Sequence, residues 1–214
     1  MNLHKIKWVK FVSKNTFIVR MERKGMEFTA GQYIQVGIPD DFVFREYSIY
    51  SPEQEDYLEI LVKHIKNGYF TNKLVELTTG DLLEIQGPFG EFTLKKNKIF
   101  DSKYLFIATG TGIAPFHSMV ATNPGLNYRI VHGVSYDNET YGKKLFNKSN
   151  YLLCTSKDKH KSYIETVTNY LFENDIKPFS YFYLCGNNKM ITDGIEILRE
   201  KGYKRGQFYA EAFY

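Results

Sequence analysis

Apolar and polar positions alternate in short runs through the first half of the chain and lengthen into mixed runs in the second. Residues 8–12, 16–21, 33–38, 47–50, 57–62 and 82–85 are rich in β-branched and aromatic side chains and are separated by turn residues, which predicts six short strands. Strands joined mostly without long helices predict an antiparallel barrel. One helix is predicted over 71–77, with Thr71 as its cap and backbone N–H groups left for an anion. Beyond the polar, lysine-rich stretch 95–102 the texture changes. Strand-like runs at 104–108, 128–134, 151–155 and 181–185 alternate with helical stretches at 115–121, 161–173 and 189–201. That alternation predicts a doubly wound parallel sheet with flanking helices. The expected fold class is therefore β + α/β, an antiparallel six-stranded β-barrel over residues 1–98 followed by an α/β domain over 99–214.

Composition changes this picture little. A chain of 214 residues suffices for two small domains with their own cores. Most of the seventeen Tyr and seventeen Phe are accounted for by core and surface packing. A net charge of +4 can steer acidic partners, but it is too small and too dispersed for nucleic acid. Two cysteines, Cys154 and Cys185, make neither a disulfide framework nor the ligand set of an iron–sulfur cluster. The first residues lack the apolar stretch of a signal peptide, and no run approaches the roughly 20 apolar residues of a membrane span. A cytoplasmic protein with free thiols, not bound to membrane, is expected.

Candidate chemistry sits in a few strings. In Arg45-Glu46-Tyr47-Ser48, strand alternation puts Arg45 and Tyr47 on one face and Ser48 on the other. A guanidinium can grip phosphate with two parallel hydrogen bonds, and a tyrosine ring can lie on a planar cofactor. Four such residues alone also fit an ordinary polar strand. Gly68-Tyr69-Phe70-Thr71 supplies a helix start for a second phosphate contact, and Gly87-Pro88-Phe89-Gly90 reads as a tight turn near the end of the barrel. Gly110-Thr111-Gly112-Ile113-Ala114-Pro115 follows an apolar run, as a pyrophosphate-binding turn does. Pro115 stands where the generic fingerprint has its third glycine, and early in a helix its missing N–H has no partner to lose. Ser135 and Asp137 follow the second α/β strand, Ser156 and Lys157 the third, and Leu184-Cys185-Gly186 ends the fourth. Cys154 reads as core. The chain closes on Glu211-Ala212-Phe213-Tyr214, an aromatic end that suggests a cover for something flat.

These segments, in this order, resemble the ferredoxin–NADP reductase family over nearly the whole chain. The resemblance implies that Arg45, Lys63, Gly68 and Thr71 belong to a flavin site whose phosphates Arg45 and Thr71 hold. Tyr47 would lie along the isoalloxazine and Ser48 reach toward flavin N5. It implies that Thr109, Gly110, Thr111 and Gly112 hold the pyridine nucleotide, with Ser156 and Lys157 at its 2′-phosphate. Cys185, with Gly186 and Met190, would line the nicotinamide pocket. Glu211 would hydrogen-bond near the flavin, and Tyr214, favoured over Phe213, would stack on it and swing aside for nicotinamide. Ser48, Cys185, Glu211 and Tyr214 are thus the expected catalytic set. Two departures stand out: Ser135 replaces a frequent arginine, and Lys157 replaces a second one, a point charge in place of a planar fork.

The expected function is electron transfer between NADPH, favoured over NADH, and a one-electron carrier such as ferredoxin or flavodoxin, through FAD, favoured over FMN. The carrier would be a separate acidic protein and the reductase a monomer or weak dimer. A free-flavin reductase, or the reductase component of an oxygenase, is the enzymatic alternative. A non-catalytic electron-transfer or partner-binding module is a third.

Overall fold

The computed structural model describes residues 2–95, 99–157, 166–176 and 179–213. They form two compact units, residues 1–94 with 114–122, and residues 95–113 with 123–214. The expected division at 98/99 abuts residues 96–98, which lie outside the described residues.

In the first unit, β1 (Leu3–Ser13), β2 (Thr16–Glu22), β3 (Tyr33–Gly37), β4 (Phe44–Ser48), β5 (Tyr57–Lys63) and β6 (Leu82–Phe89) form one antiparallel sheet. Its order is β4-β3-β6-β1-β2-β5. An antiparallel bridge between Ile49 and Ile60 joins the chain just past β4 to β5, so the two edge strands meet. Alternation builds the core. Phe17, Val19 and Met21 of β2 pack with Ile34, Val36, Leu58, Ile60, Val62, Leu83 and Ile85. The helix α1 (Tyr69–Glu76) adds Phe70 and Leu74 to the same cluster. The six expected strands are all present. The expected turn at 87–90 is not a separate turn: Gly87, Pro88 and Phe89 finish β6, where Phe89 pairs with Tyr33 past an irregularity in the β3–β6 register, and the chain leaves the sheet at Gly90.

The helix α2 (Ala114–Thr122) belongs to this unit because polar contacts hold it on the segment that follows β4. Ser118 Oγ donates to the Ser51 carbonyl at 2.7 Å. Thr122 Oγ1 accepts the Glu53 N–H at 3.0 Å, and Gln54 donates to the Thr122 carbonyl at 3.0 Å. The His117 ring stacks on Tyr50, with centroids 3.7 Å apart and planes 11° from parallel. His117 Nδ1 donates to the Tyr50 carbonyl at 2.8 Å, since a carbonyl can only accept.

In the second unit, β7 (Tyr104–Thr109), β8 (Tyr128–Val134), β9 (Tyr151–Thr155), β10 (Tyr181–Asn187) and β11 (Phe208–Phe213) form a parallel sheet of order β11-β10-β7-β8-β9. The helices α3 (Val167–Glu173) and α4 (Asn188–Glu200) supply Val167, Leu171, Met190, Ile191 and Leu198 to a cluster with Leu105, Ile107, Val131, Phe182 and Leu184. Strand alternation turns Tyr104, Phe106, Tyr128 and Tyr183 to the other face, where Tyr183 stacks on Tyr209 with centroids 4.6 Å apart. The strand β11 was not expected, and residues 161–165 of the expected third helix lie outside the described residues.

Burial pushes the His117 imidazole down to about 4, against the 6.5 of an exposed histidine. The unfolded chain therefore binds more protons between pH 6.5 and 4, and stability falls as pH falls through that window. Urea unfolding followed by Trp8, the single tryptophan, is expected to show His117 contributing about 2–3 kcal/mol of this loss between pH 7 and 4.5. His117→Phe, which keeps a ring over Tyr50, should remove that share; an unchanged pH dependence would show that His117 is not neutral when folded.

Candidate functional site

Strand order in the second unit reverses at β7, with β8 and β9 on one side and β10 and β11 on the other. Parallel α/β sheets bind ligands at the carboxyl ends of the strands beside such a reversal. There the chain leaves Thr109 through a 3-10 turn, Gly110–Ile113, and enters α2, with Pro115 where an N–H would have no intrahelical partner. Beyond β10 the helix α4 starts at once, capped by Asn187, whose Oδ1 accepts the N–H groups of Lys189 and Met190 at 2.9 and 3.3 Å. The Asn187 N–H donates to Thr109 Oγ1 at 2.8 Å, tying the end of β10 to the end of β7.

Backbones approach here too closely for a side chain. A Cβ on Gly112 would run into the Cys185 carbonyl and lie 2.8 Å from Gly186 Cα. A Cβ on Gly186 would strike Thr109 Oγ1 and lie 2.7 Å from the Thr109 carbonyl, and Gly186 also sits at φ +127°. The candidates Thr109, Gly110, Thr111, Gly112, Cys185 and Gly186 are thus brought together. Cys185 is fully buried and pairs in register with Glu211 of β11. Burial, then the Glu211 charge, holds its thiol well above the usual range. Met190 is buried in the first turn of α4.

Ser156 and Lys157 extend the β8–β9 ladder, donating N–H groups to Val134 and Ser135 at 3.1 and 3.0 Å with exposed side chains. One carboxylate that sequence reasoning passed over sits at this end. Glu139 Oε2 accepts the N–H groups of Ser135 and Tyr136 at 2.9 and 3.2 Å. Tyr214 lies outside the described residues, while Phe213 is half-buried at the end of β11.

On the barrel unit, Arg45 is exposed, with Nη1 donating to the Phe44 carbonyl at 2.9 Å. The Tyr47 ring packs against the barrel core and stacks on Phe70 of α1, with centroids 6.4 Å apart, and burial pushes its hydroxyl pKa up. That contact links β4 to the start of α1. Ser48 is buried opposite Tyr33 of β3, and Lys63 is exposed at the end of β5.

Thr71 is not the cap. The helix starts earlier, with Gly68 in the capping position and no side chain bonding its first turn. The loop before α1 folds back and claims the Thr71 hydroxyl instead, which accepts the Ile65 N–H at 3.2 Å. His64 Nε2 donates to Asn72 Oδ1 at 2.7 Å, and Asn72 donates to the Lys66 carbonyl at 3.1 Å. A Cβ on Gly68 would lie 2.8 Å from Ile65 Cβ, so the fold-back needs glycine there. Asp41 accepts from Tyr69 at 2.6 Å and Lys73 at 3.2 Å, which holds its carboxyl below the usual range and ties the β3–β4 loop to α1. An uncapped first turn, with the positive end of the helix dipole, suits the phosphates of a flavin dinucleotide. His64, Asn72, Asp41, Tyr69 and Lys73 gave no signal in sequence, because each is a single polar residue without diagnostic spacing.

Residues 4–94 match the family model of an oxidoreductase FAD-binding domain. The chain is 26% identical, over 96% of its length, to the toluate 1,2-dioxygenase electron transfer component of Pseudomonas putida, and it spans 65% of that protein. To the ferredoxin–NADP reductase of Azotobacter vinelandii it is 30% identical, over 84% of this chain and 81% of the relative. The chain belongs to the ferredoxin–NADP reductase family. A solved ferredoxin–NADP+ reductase from Neisseria gonorrhoeae with bound FAD and NADP shares the fold, with a TM-score of 0.84 over 99% of this chain and 98% of that one at 24% identity. As in that family, the N-terminal unit is an FAD-binding domain. Among the described residues, no helix is long and apolar enough to cross a membrane.

Replacing Gly186 with alanine adds both a clash and an unfavourable φ, and is expected to destabilise the protein by about 3 kcal/mol in chemical denaturation followed by circular dichroism. Gly206 has open space and no positive φ, so Gly206→Ala should be nearly neutral. Equal effects of the two would remove the close approach as a constraint.

Proposed function

We propose that this chain moves electrons between NADPH and a one-electron carrier such as ferredoxin or flavodoxin through FAD. The reading rests above all on the junction of the Gly110–Ile113 turn with the Cys185–Gly186 end of β10 at the strand-order reversal, in a chain whose other unit matches an FAD-binding domain. FAD, when bound, exchanges a hydride on one side for single electrons on the other, which neither nicotinamide nor the carrier can do alone.

The chain's own groups bind and orient. Arg45 and the first-turn N–H groups of α1, with Gly68 allowing the loop to close and Thr71 stapling it, hold the flavin phosphates; Lys63 adds positive charge nearby in sequence. Tyr47 lies along the ring system, and Ser48 donates toward its reacting edge. Thr109, Gly110, Thr111 and Gly112 hold the pyridine nucleotide, and Cys185, Gly186, Met190 and Glu211 shape the nicotinamide end. Tyr214 covers the flavin and moves aside for nicotinamide. Ser156 and Lys157 favour a 2′-phosphate, whereas the Glu139 carboxylate favours a free ribose hydroxyl, so NADH is a slower second donor. In this reading the functional division runs 1–98 for flavin and 99–214 for nucleotide, the carrier is a separate acidic protein, and the reductase works in the cytoplasm as a monomer or weak dimer with both cysteines as free thiols.

The likeness to the toluate dioxygenase component over 96% of the chain supports a second reading, the reductase part of an oxygenase system. Reduction of cytochrome c by NADPH separates the two. Dependence on added ferredoxin or flavodoxin supports the first, and dependence on an oxygenase component supports the second. Ser48→Ala is expected to slow hydride transfer roughly tenfold or more in stopped flow while NADPH affinity changes less than about threefold. Equal losses in both would refute its assignment.

A further inference from the structure

His132 stands on β8, fully buried in a strand of otherwise ordinary character. Its ring makes two hydrogen bonds whose senses are fixed by chemistry. Nε2 lies 2.8 Å from the carbonyl oxygen of Gly110, which can only accept, so Nε2 carries the proton. Nδ1 is left with its lone pair and lies 2.7 Å from the Tyr151 hydroxyl, which must donate. Burial pushes the imidazole down to about 4, so the ring is neutral near pH 7 and this tautomer persists. The arrangement runs in one direction, from the Tyr151 hydroxyl through the imidazole to the Gly110 carbonyl.

That carbonyl belongs to the first residue of the dinucleotide turn. Gly110 sits at φ +54°, with open space where a side chain would be, so its own sterics do little to hold the neighbouring peptide in one orientation. The Gly110–Thr111 peptide is trans, and a planar trans peptide points its N–H opposite to its carbonyl. With the carbonyl held against a buried ring, the Thr111 N–H is directed away from His132. A peptide flip would reverse both groups and present a carbonyl, not an N–H, on the side where an anion binds.

We propose that Tyr151 and His132 act as a positioning pair that locks the Gly110–Thr111 peptide with its N–H toward the pyrophosphate of the dinucleotide. This rests on the pyridine-nucleotide reading of the turn given above. His132 and Tyr151 touch neither substrate nor cofactor; they act through the backbone of Gly110. The Gly110 carbonyl fixes the proton on Nε2, and the Tyr151 hydroxyl, donating to Nδ1, holds the ring in the orientation that keeps Nε2 on that carbonyl. Unlike a residue that only fills the core, this pair determines nucleotide affinity with little effect on the rate once nucleotide is bound.

The test compares the flavin-loaded wild type with His132→Leu, His132→Gln and Tyr151→Phe, reading NADP+ binding by calorimetry together with NADPH KM and kcat. Leucine cannot donate to Gly110, and His132→Leu is expected to raise the NADP+ Kd and the NADPH KM about tenfold, equivalent to ~1.4 kcal/mol, with kcat changed less than about twofold. Glutamine offers a donor and an acceptor at similar reach, so His132→Gln should return affinity to within about threefold of wild type. Tyr151→Phe keeps the ring and removes only the donor, and should raise Kd about threefold. If His132→Leu does not fold, Tyr151→Phe decides the matter on the same readouts. Variants that bind NADP+ as the wild type does would overturn the positioning role alone, as would a matched loss of flavin content, kcat and affinity. A wild type that binds no NADP+ would overturn the nucleotide reading and this inference together.

Discussion

At the carboxyl end of the parallel sheet, two backbone segments meet with no space for a side chain between them, and the proposed nucleotide site is built on that contact. Gly112 rests on the Cys185 carbonyl, Gly186 rests on Thr109, and the Asn187 N–H reaches back to the Thr109 hydroxyl. Strand order makes the meeting possible, because β7 and β10 are neighbours and their following segments part at the reversal. The sheet interior then anchors the turn from below through His132 and Tyr151. Glycine is needed here for close approach and, at Gly186, for backbone conformation as well. In the proposed role, a turn so constrained keeps its donors oriented before nucleotide arrives, which reduces the ordering cost of binding.

The barrel unit solves a similar problem with different means. Its candidate anion site is the uncapped start of α1, and the loop ahead of it is folded back by Thr71, His64 and Asn72, leaving the first-turn N–H groups without a side-chain cap. Asp41, Tyr69 and Lys73 tie the neighbouring loop to the same helix. The helix α2, which follows the Gly110–Ile113 turn directly in sequence, is held in the barrel unit by Ser118, Thr122 and His117. Polar contacts of this kind fix position, while the apolar clusters supply the bulk of the driving force for folding.

Much of this was legible in sequence. Short β-rich runs bounded by turn residues marked the six barrel strands, and the run through 104–108 marked the central strand of the parallel sheet, buried on both faces. The glycine-rich turn and the Cys-Gly pair were visible as strings. What stayed hidden depends on partners far away in the chain. Nothing near Gly112 announces that Cys185 will lie against it, and a lone histidine in an apolar strand carries no spacing signal. The strand β11 was masked because its aromatic residues read as a loose terminus, although parallel pairing with β10 buries them in part. Thr71 misled because threonine near a helix start usually caps, and only the folded-back loop shows another hydrogen-bond partner to be closer.

The central claim is that one chain holds both a flavin and a hydride donor. The visible absorption spectrum of the purified protein, recorded without oxygen and followed through addition of NADPH, tests it most directly. Flavin bands that are present, or that develop on adding FAD, and that bleach with NADPH are the predicted result. A protein that stays colourless with added FAD, or whose flavin bands do not respond to NADPH or NADH, would contradict the account.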